Sequence, residues 1–174
     1  MGSISAKTVT QTWQRMGQIP LHKISQVIDQ MQQEQPYIMG YLMAVGDAMF
    51  LPHECETLFY VGMVLWQIMR QSSGGLDRVT PATLDQAEEA SLAFMEQIEQ
   101  TGTENPEEMI RAMIETYPEP EVLRYAVEAI MEPGDEEIDG PPIRDAYRGM
   151  AFLYLKIVLD AMIASIERPS QILH

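Results

Sequence analysis

The sequence predicts an all-α fold, a single-domain globular bundle of seven to eight helices over residues 1–174. Methionine, glutamine, glutamate, alanine and leucine are abundant while β-branched residues are few, which favours helix. Apolar residues recur at helical spacing, and no stretch alternates apolar and polar residues between hairpin turns. With 174 residues, the chain is long enough to bury a core as one domain.

The first half of the chain predicts four helices, and prolines mark where the later ones begin. Pro20 stands near the start of the second helix, and Pro36 and Pro52 open the third and fourth, because proline suits the first helical position. The fourth helix is apolar around nearly its whole circumference, which predicts a central, buried helix. The expected ranges are 8–17, 21–33, 36–50 and 52–72.

A Ser-Ser-Gly-Gly segment at 72–75 is the clearest break and separates two internal halves, 18–75 and 104–168. Beyond it, Thr80 and Asn105 each precede a proline and are expected to cap helices. The acidic, proline-rich segment 132–142 is expected to be an irregular connector. The helices expected in this half cover 81–101, 106–116, 120–131 and 143–166.

Two of these helices carry patterns that predict how they pack. The last helix is again apolar nearly all round, with Lys156 and Asp160 one turn apart at an edge that we expect to face solvent. A buried ion pair there, marking a polar site, is the alternative. The helix over 81–101 is expected to be amphipathic with a single apolar face, made of Leu84, Ala87, Ser91, Phe94, Met95 and Ile98.

The two halves echo each other in sequence. Residues 36–41 (Pro-Tyr-Ile-Met-Gly-Tyr) resemble residues 120–125 (Pro-Glu-Val-Leu-Arg-Tyr), and a Tyr-x-Gly-Met step occurs around Gly62 and again around Gly149. These matches predict a duplicated three-helix unit with two central apolar helices, and coincidence in a methionine-rich helical chain is the alternative. Duplication would place Gly62 and Gly149 where helices approach closely.

The charge of the chain excludes several classes of partner. Its net charge is −15, and its eleven basic residues are scattered, so no basic stripe is available for nucleic acid or for an anionic membrane surface. The acidity favours solubility or a basic protein partner. No segment reaches the roughly 20 apolar residues of a membrane span. The lone cysteine, Cys55, and an N-terminus unlike a signal peptide predict a reduced, cytoplasmic setting.

One cluster of chemically versatile side chains, His53, Cys55 and Glu56, stands at the start of the fourth helix. A thiol near a helix N-terminus can have a lowered pKa, but His53 and Cys55 are two residues apart and cannot face each other. His53 and Glu56 supply at most two ligands, so weak metal binding is an alternative only. The five carboxylates in 132–139 match no calcium loop. We therefore predict no catalytic residue, no cofactor and no metal site.

The favoured functional hypothesis is a non-catalytic protein-interaction protein, adaptor-like or chaperone-like, that binds a partner's helix or tail. It follows from the acidity, the fourteen methionines and the lack of a catalytic set, and it predicts an exposed apolar groove. Core filling is the favoured use of the methionines, and an adaptable apolar surface is the alternative. A helical enzyme or small-ligand-binding protein with a pocket between helices is the second hypothesis. A homo-oligomer is a third. The pocket would involve Tyr41, Tyr60, Tyr125 or Tyr147.

Overall fold

A computed structural model describes residues 3–101, 105–131 and 143–166 of the chain. The described residues are 81% helical and form eight helices and no strand, which confirms the all-α prediction. Leu76 and Ile166 form an isolated antiparallel β-bridge. The helices are α1 (Ala6–Gly17), α2 (Leu21–Glu34), α3 (Pro36–Met49), α4 (Pro52–Met69), α5 (Pro81–Thr101), α6 (Pro106–Thr116), α7 (Pro120–Met131) and α8 (Asp145–Ala164).

Helix starts follow the proline and capping signals of the sequence. Proline is the first residue of each of the five helices α3 to α7, where its missing N–H costs no hydrogen bond. The Thr80 hydroxyl accepts a hydrogen bond from the Thr83 N–H at 3.2 Å, and the Asn105 side chain accepts one from the Glu108 N–H at 3.5 Å. Both predicted N-caps are therefore confirmed.

Two helix ends differ from prediction for identifiable reasons. Helix α4 ends at Met69 rather than residue 72, because the N–H groups of Gln71 and Ser72 bond to carbonyls three residues back, which tightens the chain. Helix α8 begins at Asp145 rather than residue 143. The backbone N–H of Arg144 donates to the Glu54 carboxylate at 2.8 Å, so this residue is drawn out of the helix.

The two apolar helices lie at the centre, as predicted. Helix α4 packs against α1, α3, α7 and α8, and α8 packs against α3, α4, α5 and α7. Trp66 of α4 and Leu155 of α8 are fully buried. The amphipathic helices α2 and α6 lie outside, on α3 and α7 respectively. The order of packing is thus the same in both halves, although the duplication itself stays a prediction.

The two echoed glycines have different surroundings. A Cβ at Gly62 would come within 2.6 Å of Leu42 Cδ1, so Gly62 does lie at a close helix approach. A Cβ at Gly149 would meet nothing within 4 Å, and Gly149 is exposed. The expectation of close packing is therefore wrong at Gly149, because α8 turns that face toward an open groove rather than toward another helix.

The segment that follows the turn at 72–75 is hydrogen-bonded to other parts of the molecule. Gly75 has φ +74°, a conformation that favours glycine, and turns the chain after α4. The Asp77 N–H then donates to the Ser165 carbonyl at 3.0 Å, which joins this segment to the end of α8. The buried side chain of Gln35 bonds to the Asp77 carbonyl and the Val79 N–H. Buried apolar residues from both halves form one continuous cluster.

None of the helices in the described ranges is long and apolar enough to cross a membrane. The predicted connector over 132–142 and the end of the chain from residue 167 lie outside the described residues.

Candidate functional site: a groove lined by methionine

An open groove of about 330 Å³ runs between α5, α6 and α8, and we call it the methionine groove. Its floor is α8, from Ala146 to Lys156, where Phe152 and Leu153 are nearly buried. One wall is α5, and the other is α6 with the end of α7. The groove forms because α6 packs mainly on α7, which leaves the apolar face of α6 only partly covered. Five methionines line it: Met95, Met109, Met113, Met131 and Met150.

The α5 wall differs from the single apolar face that the sequence predicted. Leu84, Ala87 and Ser91 are buried, as expected. Phe94 and Met95, however, are 37% and 36% exposed and line the groove instead of the core. Met95 follows Leu84 by about three helical turns and so lies on the same side of α5, while Phe94 is turned by roughly 80° from it. Their exposure reflects the open groove beside this end of α5. Helix α5 therefore presents apolar residues both to the core and to the groove.

A buried polar group lies in the wall of this apolar groove. Ser91 is 1% exposed, and its hydroxyl has no hydrogen-bond partner within the described part of the chain. An unsatisfied buried hydroxyl costs roughly 1–3 kcal/mol. A ligand with a donor or acceptor at this point would remove that cost.

The methionines are divided between core and surface. Six of the fourteen methionines are buried and fill the core. They are Met16, Met31, Met39, Met63, Met69 and Met162. The five groove methionines are only half-buried or exposed, so they are concentrated at one surface feature. Unbranched thioether side chains adapt their shape to varied apolar partners.

A second groove, of about 380 Å³, lies between α2, α3 and α4, and we call it the α2–α4 groove. It holds Cys55 and Glu56 from the cluster noted in the sequence, together with Asp47. Burial raises the pKa of the Cys55 thiol, and the carboxylates of Asp47 and Glu54 add to this effect. The alternative that the helix N-terminus lowers the thiol pKa therefore does not hold. His53 is exposed on the first turn, and no group of three metal-ligating side chains occurs in the described residues.

Glu54 forms a buried ion pair that the sequence did not reveal. Its side chain is 0% exposed, and it accepts hydrogen bonds from Arg144 Nε at 3.0 Å, Arg144 Nη2 at 2.9 Å and the Leu51 N–H at 2.8 Å. Burial alone would raise the pKa of this carboxyl, but these hydrogen bonds outweigh it and lower the pKa to about 2. The pair joins the start of α4 to the start of α8 and has a structural role.

Lys156 and Asp160 form an ion pair at the end of the methionine groove. Lys156 Nζ lies 2.8 Å from Asp160 Oδ2, and the side chains are only 13% and 23% exposed. The Tyr117 hydroxyl donates to the other oxygen of Asp160 and covers the pair. The expected solvent-facing edge is therefore wrong, because Tyr117, just after α6, packs over it. Burial and the Asp160 charge raise the pKa of Tyr117.

The four tyrosines proposed for an enclosed pocket pack elsewhere. The Tyr41 hydroxyl donates to Glu88 at 2.9 Å, and its ring meets Tyr154 edge-on. Tyr147 packs edge-on against Phe50 and beneath the Arg144 guanidinium, 4.0 Å from the ring centre. Neither the methionine groove nor the α2–α4 groove is lined by Tyr41, Tyr60, Tyr125 or Tyr147.

The walls of the methionine groove are strongly acidic. Helix α5 carries five carboxylates and no lysine or arginine, and α6 carries three carboxylates and one arginine. These two helices therefore hold seven of the fifteen net negative charges. The cations of the α8 floor are neutralised, since Lys156 pairs with Asp160 and Arg148 pairs with Asp145. The field at the groove is thus negative.

Fold and site together define an all-α helical protein with an acidic, methionine-lined surface groove. Comparison with known proteins finds no matching family model, no matching curated protein and no matching solved structure.

Proposed function

We propose that this protein is a non-catalytic interaction protein, adaptor-like or chaperone-like, which binds an apolar segment of a partner protein in the methionine groove. The observation that carries the proposal is the groove itself: five methionines and Phe94 face an open channel between helices. Apolar grooves between helices are a recurrent docking site for amphipathic helices of partner proteins. Met side chains at such a surface repack around different apolar ligands.

The shape of the groove favours a helical segment as the ligand. Its floor covers ten residue steps of α8, from Ala146 to Lys156, which at 1.5 Å per residue is about 15 Å. That length matches two to three turns of helix. Apolar side chains one turn apart on the incoming helix would insert between α5 and α6, as in other helix-in-groove complexes.

Gly149 offers a direct test because it stands in the groove with open space around its Cβ position. Gly149→Leu would fill the groove with a side chain, and leucine is also a better helix former than glycine. We expect this variant to lose partner binding while keeping or raising its melting temperature. Proteins cross-linked to the purified chain in extracts of its source cells, identified by mass spectrometry, are the readout.

Gly40→Leu is the matched control. Gly40 is also an exposed helical glycine with nothing within 4 Å of its Cβ position, but it lies on α3, outside the methionine groove. Partners should be retained by Gly40→Leu and lost by Gly149→Leu, and a synthetic segment of the partner should reproduce the difference. If no partner depends on residue 149, the proposal is wrong.

A small apolar ligand with one polar group is a second candidate occupant, favoured by the unpartnered Ser91 hydroxyl in the groove wall. Such a ligand would bury its apolar part among the methionines and hydrogen-bond to Ser91. Native mass spectrometry of the freshly purified protein would detect it as an added mass. That mass should be absent from Gly149→Leu and present in Gly40→Leu.

A further inference from the structure

We infer that the segment bound by the methionine groove is a cationic amphipathic helix, with large apolar side chains on one face and lysine or arginine on the flanks. This inference rests on the proposed function and deepens it by naming the chemistry of the partner. It follows from where the charges lie around the groove rather than from the net charge alone.

The first step is the identity of the rim. Glu96 and Glu99 follow Met95 on α5, and Glu107 and Glu108 precede Met109 on α6. All four carboxylates are exposed, and none forms an ion pair with another described residue. They therefore place exposed negative charge next to a groove methionine in sequence on each wall, outside the lining of the groove itself.

The second step is the absence of a competing positive charge in the described part of the groove. Lys156 lies at the end of the groove, and its charge is already paired with Asp160, which also accepts a hydrogen bond from the Tyr117 hydroxyl. Arg111 on α6 is exposed, lies outside the groove lining and shares a neighbouring pocket with Glu107. An acidic ligand would thus meet four exposed carboxylates against this one exposed cation. The negative charge of the rim repels an acidic ligand, whereas it attracts the basic flanks of an apolar helix.

The third step is the match between the apolar strip and the rim. A helix seated on α8 would direct one apolar face downward, between Phe94 and Met113, and would leave its flanks level with the two walls. Side chains of lysine and arginine are long enough to reach carboxylates there while their stems cover apolar surface. An apolar helix with neutral flanks would bury the same strip but gain no attraction from the rim.

The test uses three synthetic helical peptides of roughly 18 residues with identical leucine and phenylalanine anchors, and with lysine, glutamine or glutamate on the polar face. Binding to the full chain is measured by fluorescence anisotropy. We expect the lysine peptide to bind at least about tenfold more tightly than the glutamine peptide, and the glutamate peptide to bind most weakly. The advantage of the lysine peptide should shrink at high salt.

Two double variants with the same change of charge locate the effect. Glu96→Gln/Glu99→Gln should weaken the lysine peptide several-fold and leave the glutamine peptide unchanged. Asp29→Asn/Asp77→Asn removes two exposed carboxylates that do not line the groove. The lysine peptide should bind this variant about as tightly as it binds the original chain. Circular dichroism confirms that each variant is folded.

The outcomes separate this inference from the proposed function. Equal binding of the lysine and glutamine peptides, both lost in Gly149→Leu, would overturn the cationic partner and leave the apolar groove supported. Failure of all three peptides to bind would overturn both. A dimer of the chain alone in sedimentation, broken by Gly149→Leu and not by Gly40→Leu, would replace the cationic helix with a second copy.

Discussion

At the scale of single residues, the polar side chains inside this protein have either a complete set of partners or none. Glu54 accepts four hydrogen bonds from Arg144 and Leu51, and Asp160 is held by Lys156 and Tyr117. Ser91, by contrast, has no partner in the described residues and faces the groove wall. The first two cases are what a buried charge requires for stability, whereas the third leaves a buried hydroxyl unsatisfied, at a cost in stability.

The Glu54 ion pair predicts a specific dependence of stability on pH. Its folded-state pKa of about 2 lies below the ordinary value of 4.5, so its contribution is complete above about pH 4.5 and is lost as pH falls toward about 2. Glu54→Gln should lower the free energy of unfolding by about 2 kcal/mol near neutral pH.

The difference between the original chain and Glu54→Gln should shrink on acidification. Urea unfolding at a series of pH values, followed by circular dichroism, measures it. A difference that stays constant down to about pH 2.5 would show that the pKa of Glu54 is not lowered.

Asp160 gives a second residue-level prediction. Asp160→Asn would leave Lys156, a mostly buried cation, without its ion partner, and should cost about 1–2 kcal/mol of unfolding free energy. Asp145→Asn is the matched control, because Asp145 pairs with Arg148, a cation as buried as Lys156, but is itself 88% exposed. Arg148 keeps its hydrogen bond to the Ile143 carbonyl, so the loss of Asp145 should cost less than about 0.5 kcal/mol. Equal losses would mean that burial of the Lys156 pair has no energetic consequence.

At the scale of helices, α4 and α8 share a Tyr-x-Gly-Met step and an apolar circumference but have different surroundings. Both are apolar nearly all round and both are packed by four other helices. Helix α4 is covered at Gly62 by Leu42, whereas α8 is left uncovered at Gly149. Helix α7 packs on α8 without covering Gly149, and the uncovered strip of α8 is the floor of the methionine groove.

The two glycines therefore predict opposite effects of the same substitution. Gly149→Ala should raise the free energy of unfolding by about 0.5–1 kcal/mol, since alanine is the better helix former and has room. Gly62→Ala should lower it by roughly 1 kcal/mol, because the new methyl group displaces the buried Leu42 and overpacking outweighs the helical gain. Thermal unfolding of both variants measures the difference, and a stabilised Gly62→Ala would refute the close approach.

At the scale of the whole molecule, the two halves are joined by their most apolar helices. Helix α4 packs on α8, and the segment after Gly75 is bonded to the end of α8 through Asp77 and Ser165. The Glu54–Arg144 pair adds a third link between the halves. Removing either half would therefore expose a long apolar face of the other to water, at roughly 25 cal/mol for each Å².

This arrangement predicts that neither half folds alone. A fragment covering residues 3–75 should lack a cooperative thermal transition, because α4 would lose its contacts with α7 and α8. The full chain should unfold in a single transition. Circular dichroism and amide dispersion in NMR spectra distinguish the cases, and a folded fragment would instead establish the halves as independent units.

The sequence by itself determined the class of fold, the starts of five helices at prolines and the central place of α4 and α8. These features depend on local conformational preference and on the distribution of apolar residues around a single helix, both of which are written in consecutive residues. A surface use of some methionines was only an alternative to core filling in the sequence, and no residue pattern located it.

Only the tertiary structure decided which apolar residues are covered. Phe94 and Met95 belong to the same stretch as buried residues of α5, and their exposure depends on where α6 packs. Glu54 and Arg144 are 90 residues apart, so no local pattern could pair them. Contacts at such separations depend on how whole helices pack, and the acidic methionine groove is a product of that packing.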